Sequence, residues 1–355
     1  MRILITGNMG YIGPVLAKYL KKNYPRITLV GYDTGFFGHC LTGTEYLPEL
    51  FYECQFMGDI RDIGISHLNG VDAVVHLAAV SNDPMGNEFE AITNQINHKS
   101  SLRLVKLAIE AGVKNFVFAS SCSMYGQSAG GPRSESDPTN PLTAYAKSKI
   151  GTESDIKQLN LKQMVVTCLR FATACGMSDR LRLDLVLNDF VACAVTSQKI
   201  TVLSDGSPWR PLIDVEDMSR AIDWAIHRSE HQGGRYLAVN AGRNENNYQV
   251  KDLAMTVSKL IPGVEVSINA DAPPDLRSYM VDFSLFQSLA AEYLPVVSLE
   301  DSIERLRSGF DRMLFSNKNF RDSPYMRLNT LRKHMQHGML DQNLRWTNNL
   351  SKDFL

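Results

Sequence analysis

The chain contains no C-x-x-C pair among its six cysteines (Cys40, Cys54, Cys122, Cys168, Cys175 and Cys193) and no His/Cys grouping at metal-ligand spacing. No metal centre is therefore expected, and Cys168 and Cys193, set in apolar runs, read as buried thiols. Apolar runs approaching the ~20 residues of a membrane span are missing as well. So is an excess of either charge: 37 Lys+Arg against 38 Asp+Glu leave a formal net charge of −1. That balance gives no reason to expect nucleic acid or an anionic membrane as the main partner. Internal repeats and low-complexity stretches are absent. The first strand begins at Arg2, which leaves no room for a signal peptide, so a cytoplasmic protein is expected. What is present is 355 residues, 44% hydrophobic and 21% charged, enough core for two domains or for one large domain with an elaborated lobe.

The opening stretch, Met1 to Asp33, organises the rest. Ile3, Leu4, Ile5 and Thr6 predict a short buried parallel strand. Gly7, Gly10 and Gly13 follow at G-x-x-G-x-x-G spacing and open a helix with Ile12, Val15, Leu16, Tyr19 and Leu20 along one stripe. Pro14 falls in the first turn, where its missing N–H has no intrahelical partner. A second strand, Ile27–Tyr32, delivers Asp33 twenty residues after Gly13. Glycines let the backbone approach a pyrophosphate, whose charge sits on the free N–H groups and dipole of the helix start. An acid at the end of the second strand accepts hydrogen bonds from the adenosine ribose and repels a 2′-phosphate. Strand, triplet, helix, strand and acid in this order predict a dinucleotide site that prefers NAD to NADP.

Downstream, strands alternate with helices. Phe56–Ile60 and Val71–Val80 read as strands, after a long Gly- and aromatic-containing connection over residues 34–55. A helix Asn87–Ala111 closes at Gly112, strand Asn115–Ser121 follows, and helix Leu142–Gln158 leads to strand Met164–Phe171. This is a doubly wound parallel sheet with ligands at the carboxyl ends of its strands. Regularity breaks after Phe171. Helix Val215–Arg228 and strand Arg235–Asn240 still look sheet-like. The first domain is therefore read as 1–171, continued by about 214–241, and a discontinuous second lobe as 172–213 and 242–355. In the tail, a helix Tyr325–Gln336 closed by Gly338 reads as a solvated cap.

Tyr145 and Lys149 lie four residues apart and share one helix face. A tyrosine with a reference pKa of about 10 is a poor base at neutral pH, and a neighbouring ammonium together with the positive nicotinamide of bound NAD⁺ would favour its phenolate. The pair follows a strand that ends in Ser120-Ser121 at the cofactor cleft.

With these residues the chain resembles the extended short-chain dehydrogenase/reductases, in particular the NAD-dependent nucleotide-sugar epimerases and dehydratases, over nearly all of its length to about residue 310. The carriers are the glycine motif with Tyr11-Ile12-Gly13, Gly58-Asp59-Ile60-Arg61-Asp62, His76-Leu77-Ala78-Ala79, Asn97, Ser120-Ser121-Cys122-Ser123-Met124-Tyr125-Gly126 and Tyr145/Lys149. The resemblance implies an α/β fold, a Rossmann-type doubly wound parallel sheet with a smaller, discontinuous α/β substrate-binding lobe. It implies that Gly7, Gly10, Tyr11, Ile12, Gly13 and Asp33 hold NAD, that Asp59 and Ile60 hold the adenine, and that Leu77, Ala78 and Ala79 line the cofactor. Ser121 would hydrogen-bond the reacting sugar oxygen, Tyr145 would be the acid/base and Lys149 would grip the nicotinamide ribose. Asn97 would place active-site backbone or water. Substrate contacts are implied for Ser121, Cys122, Ser123, Thr173, Asn188, Arg210 and Arg277, the two arginines facing the diphosphate of a nucleotide-diphosphate sugar as planar forks. Thr173 stands where many relatives carry asparagine. A homodimer is expected from pairing of the helices Asn87–Ala111 and Leu142–Gln158; Leu102, Val105 and Ile109 would bury either there or on the chain's own sheet.

The expected reaction is epimerisation at a sugar carbinol, C4 being the expected carbon. Relatives that eliminate water carry an acidic pair after the catalytic hydroxyl, where this chain has Cys122 and Ser123, neither able to do that work. Keto-sugar reductases favour NADPH, against Asp33. An epimerase needs only Ser121, Tyr145, Lys149 and tightly held NAD. An oxidase or dehydrogenase that releases the keto sugar is the alternative, and a non-catalytic NAD-binding regulator is the alternative of another class.

Overall fold

A computed structural model describes residues 1–127, 130–269, 271–272 and 278–347. Its first half runs β1 (Arg2–Thr6), α1 (Ile12–Asn23), β2 (Thr28–Asp33), β3 (Cys54–Met57), β4 (Ala73–His76), α2 (Asp83–Glu88), α3 (Glu90–Thr93), α4 (Ser100–Glu110), β5 (Asn115–Ser121), α5 (Ala144–Lys157) and β6 (Val165–Phe171). The second half runs β7 (Thr173–Cys175), α6 (Val186–Ser197), β8 (Lys199–Val202), β9 (Trp209–Asp214), α7 (Val215–His227), β10 (Tyr236–Ala241), β11 (Asn247–Gln249), α8 (Val250–Leu260), β12 (Glu265–Ile268), α9 (Ser284–Leu289), α10 (Leu299–Arg312) and α11 (Arg327–Gln336).

Seven strands form one sheet in the order β10-β6-β5-β4-β1-β2-β3, every neighbouring pair parallel. The strand order reverses at β1/β4, where a doubly wound sheet opens its binding crevice. Ile3, Leu4 and Ile5 are fully buried because both faces of β1 are covered. On one face α1 and α7 pack through Leu16, Leu20, Met218 and Ile222. On the other, Leu104, Val105 and Ala108 of α4 join Leu4, Val30 and Val74; Val105 is thus spent on the chain's own core. The smaller lobe holds the sheets β11-β9-β7 and β12-β8 around Leu187, Val191, Leu253, Val257, Ile303 and Leu306.

Four segments differ from expectation. The strand expected over Phe56–Ile60 lies at Cys54–Met57, and Ile60 opens a short helical turn after it. The strand expected over 71–80 pairs only through Ala73–His76, because Leu77, Ala78 and Ala79 leave the ladder to line the crevice. The long helix expected over 87–111 is broken into α2, α3, a π-helical turn over Asn94–Lys99, and α4. The widened turn frees the Asn97 carbonyl to accept from Ser101 Oγ (2.5 Å) and Thr152 Oγ1 (3.1 Å), tying α4 to α5. Finally, the tail helix is not a solvated cap of the second lobe. Leu331, Leu340 and Leu344 are at most 3% exposed and join the sheet's own core with Val30 and Tyr32.

Candidate active site

One cleft of about 850 Å³ runs along the carboxyl ends of β1, β2, β4, β5 and β6 and continues beneath the smaller lobe. The chain turns into it at Gly7 (φ +73°), where an added Cβ would lie 2.5 Å from the Ala78 backbone nitrogen. At Gly13 a Cβ would lie 1.9 Å from the Asn8 carbonyl oxygen, so α1 packs against its own loop as only glycine permits. No side chain caps the start of α1 and its first turn carries no acid, leaving backbone N–H groups and the positive end of the helix facing the cleft. Asn8 points away, its Nδ2 donating to Gln55 Oε1 (2.7 Å). Asp33 is set at the end of β2 by the Met9 N–H on Oδ2 (2.9 Å) and the Gly35 N–H on Oδ1 (2.7 Å), and burial raises its pKa. A glycine cradle, an uncapped helix start and an acid on the second strand are a donor and acceptor set that fits a dinucleotide.

Gly7, Gly10, Tyr11, Ile12, Asp33, Asp59, Ile60, Leu77, Ala78 and Ala79 all line the cleft. Gly13 and Asn97 lie behind it. Asn97 is 1% exposed; its Oδ1 accepts from the Val80 N–H (2.8 Å) and its Nδ2 donates to the Val80 carbonyl (2.9 Å) and to Ser148 Oγ (3.2 Å). It fixes the backbone that follows β4 rather than touching anything in the cleft. His76 is similarly internal, bridging Thr6 Oγ1 and Ser101 Oγ, and burial holds its pKa down at about 3, so it is neutral.

Further along, Ser121, Ser123, Tyr145, Lys149, Thr173 and Arg210 converge on the same cleft. Thr143 caps α5 by accepting from the Ala146 N–H, and its hydroxyl donates to Asp83 Oδ1 (2.7 Å), which fixes the helix that carries Tyr145 and Lys149. Burial pushes the Tyr145 pKa up to about 12, with Asp83 adding to the rise and Ser121 opposing it, while the Ser121 hydroxyl itself donates to Ser123 Oγ (2.9 Å). Lys149, 3% exposed, donates to the Ala119 carbonyl (2.6 Å) and lies 5.5 Å from the centre of the Tyr145 ring; burial lowers its pKa to about 8. A second cation, Arg182, sets a field that favours the Tyr145 phenolate.

Arg182 escaped the sequence reading. Buried in the cleft wall, it forks onto Asp184 (2.8 and 3.2 Å) and donates to Ser81 Oγ (3.1 Å), while Asn82 Nδ2 donates to Asp184 Oδ2 (2.6 Å). A second buried network supports the end of β5: Ser120 Oγ donates to Glu153 Oε1 (2.5 Å), Arg170 forks onto Glu153 (2.7 and 3.0 Å) and Arg170 also donates to Tyr125 Oη (3.0 Å). No local spacing in the sequence signals either network, because each joins segments far apart in the chain.

Two expected substrate contacts need correction. Cys122 is fully buried with its thiol directed to the Arg170 carbonyl (3.0 Å), since the turn after β5 rotates it away from the cleft. Asn188 is fully buried too: Oδ1 accepts from the Gly176 N–H (3.0 Å) and Nδ2 donates to the Arg182 carbonyl (2.9 Å), so its amide braces the loop that carries Arg182. Arg277 lies outside the described residues.

Residues 3–242 match the model of the NAD dependent epimerase/dehydratase family. A UDP-arabinose 4-epimerase of Arabidopsis thaliana is 31% identical over 294 residues, 75% of this chain and 68% of its own. An uncharacterised UDP-glucose epimerase of Bacillus subtilis is 26% identical over 85% of this chain and 96% of its own. Among solved structures, a UDP-glucuronic acid 4-epimerase from Bacillus cereus in complex with UDP-glucuronic acid and NAD superposes with a TM-score of 0.74 at 23% identity, covering 88% of this chain and all of that one. The chain belongs to the NAD-dependent epimerase/dehydratase family of enzymes.

Proposed function

We propose that the protein is a nucleotide-sugar 4-epimerase that works with one retained NAD. The observation carrying this reading is the make-up of the site around Ser121: Tyr145 and Lys149 converge there, and the two positions after the hydroxyl are a buried thiol, Cys122, and a serine, Ser123. A hydroxyl, a phenol and an ammonium suffice to take a carbinol proton and return it, whereas elimination of water needs a further acid and base.

NAD, when bound, supplies the hydride acceptor and the hydride donor. The remaining steps fall to the chain. Ser121 Oγ hydrogen-bonds the reacting oxygen and Tyr145 takes its proton, returning it when the oxidised carbon is reduced from its other face. Its pKa of about 12 in the protein alone makes the phenol the resting form. Phenolate character then requires positive charge near the ring, from Arg182 and from the oxidised cofactor. Lys149, anchored on the Ala119 carbonyl, is placed to hold a ribose. Arg210, on the cleft wall with its side chain steadied by the Trp209 carbonyl (2.8 Å), is suited to a diphosphate. A cytoplasmic homodimer is part of the proposal, and light scattering at micromolar concentration tests the dimer: a monomer rejects it.

The reaction is tested by incubating the purified protein with UDP-, GDP-, CDP- and dTDP-sugars without added NAD and following the sugar protons by NMR. Epimerisation gives a stereoisomer pair at equilibrium with no NADH absorbance accumulating. Stoichiometric NADH with a keto sugar replaces this reading with that of an oxidase.

A further inference from the structure

Beyond the residues matched by the family, the chain between Phe320 and Thr347 returns to the cleft, and Arg321, Met326, Arg327, Leu331 and Leu344 form part of its wall. Several of its polar contacts go to the two loops that flank Asp33 and Asp59. His334 Nε2 meets the Phe36 carbonyl (3.0 Å) and Trp346 Nε1 donates to the Thr34 carbonyl (2.6 Å). Arg61, forked onto Asp59, also donates to the carbonyls of Asn343 (2.9 Å) and Leu344 (3.3 Å), and Arg345 pairs with Asp62. The ring of Trp346 lies 5.6 Å from Phe36.

Within this segment the charges are balanced at Arg321 by Asp189, at Arg332 by Glu88 and at Arg345 by Asp62. Arg327 differs. It is 1% exposed, stacks 4.5 Å over the Phe37 ring and donates to the Arg180 carbonyl (2.8 Å), with no carboxylate within ion-pair distance among the described residues. Its Nη1 has no hydrogen-bond partner there either. Its guanidinium is repelled by Arg182 and favoured by the Asp184 carboxylate that Arg182 forks onto and by Cys40, and Arg182 in turn acts on Tyr11 of the glycine loop. A buried cation with an N–H group left unpartnered and no carboxylate in direct contact is costly unless an anion joins it. In this cleft the anion position is set by the uncapped start of α1 beside Tyr11.

We propose that the segment Phe320–Thr347 is a strap belonging to the cofactor site: it clamps the loops after β2 and β3 around the adenosine and brings Arg327 to the cleft as a counter-charge for the dinucleotide pyrophosphate. The strap keeps NAD in place between turnovers. This inference rests on the NAD dependence of the family and not on which sugar is used.

The test measures equilibrium binding of NAD, ADP and adenosine by calorimetry and ligand NMR, on cofactor-stripped full-length protein and on Arg327→Met. Loss of one charge-assisted contact weakens binding about 10–100-fold. That loss is expected for NAD and ADP, while adenosine, which lacks phosphate, stays within about twofold. Trp346→Ala is expected to weaken all three and to speed NAD release. If Arg327→Met is not recovered folded, Arg327→Gln gives the same comparison. Unchanged ADP binding in the charge-removing variant, or equal loss for ADP and adenosine, overturns the counter-charge role. A wild type that binds no NAD overturns the cofactor assignment itself.

Discussion

Replacing Lys149 by methionine should make the cofactor-stripped protein more stable while removing its function. Lys149 is 3% exposed and its pKa is lowered from 10.5 to about 8 by burial. That displacement weighs about 3 kcal/mol against the ammonium at neutral pH. The lysine recovers part of it through the hydrogen bond to the Ala119 carbonyl and its position 4.7 Å over the Phe118 ring, together about 1–2 kcal/mol. Methionine keeps most of the volume and none of the charge, so the expected net gain is about 1–2 kcal/mol, or about 1–3 °C in Tm for a chain of this length. The pH dependence has a definite sign. Because the folded-state pKa is depressed, unfolding takes up a proton between about pH 8 and 10.5, and the penalty is complete below pH 8 and relieved as pH rises through that window. The Tm difference between Lys149→Met and wild type should therefore be largest near pH 7 and smaller at pH 9.5. Calorimetric unfolding of both proteins at the two pH values checks this. A Tm that falls by several degrees at pH 7, or a difference that does not shrink, refutes the reasoning that this charge is held for function.

Four further outcomes are expected. Tyr145→Phe should fold, retain NAD and lose about 10²–10⁴-fold in turnover, and Ser121→Ala should lose less, since it removes one hydrogen bond that the phenol partly replaces; steady-state rates decide both. Gly13→Ala, whose Cβ would meet the Asn8 carbonyl at 1.9 Å, should destabilise the protein by about 2–3 kcal/mol or more and abolish NAD binding, seen by denaturant titration and by ligand-induced thermal shift. NAD should bind better than NADP because a 2′-phosphate would face Asp33, whose oxygens already hold the Met9 and Gly35 N–H groups; equal affinities by calorimetry contradict that.

Much of the dinucleotide half was legible because its determinants are local. Gly7, Gly10, Gly13 and Asp33 lie within one βαβ unit, and a buried parallel strand leaves a plain apolar run. Tyr145 and Lys149 share a helix face by spacing alone, and Ser121 ends a strand whose direction fixes where it points. Orientation one residue further on was not legible: Cys122 and Asn188 match substrate positions by alignment of types, but the turn after β5 and the burial of α6 direct both inward. Arg182 was hidden for the opposite reason, since a loop arginine becomes part of a site only when Ser81, Asn82 and Asp184 are folded around it. The tail was misread because the stripe that α11 buries, Arg327, Thr330, Leu331 and His334, has helical spacing but mostly polar chemistry. An apolar pattern does not reveal a helix docked through hydrogen bonds.

The central claim, that a hydride leaves C4 of a nucleotide sugar and returns to the same carbon, is tested most directly with substrate deuterated at C4. Turnover by the protein with its own retained NAD, in ordinary water, should give the C4 epimer with the deuterium still at C4, read by proton and deuterium NMR. Loss of the label to solvent, or a labelled cofactor accumulating beside a free keto sugar, would contradict it.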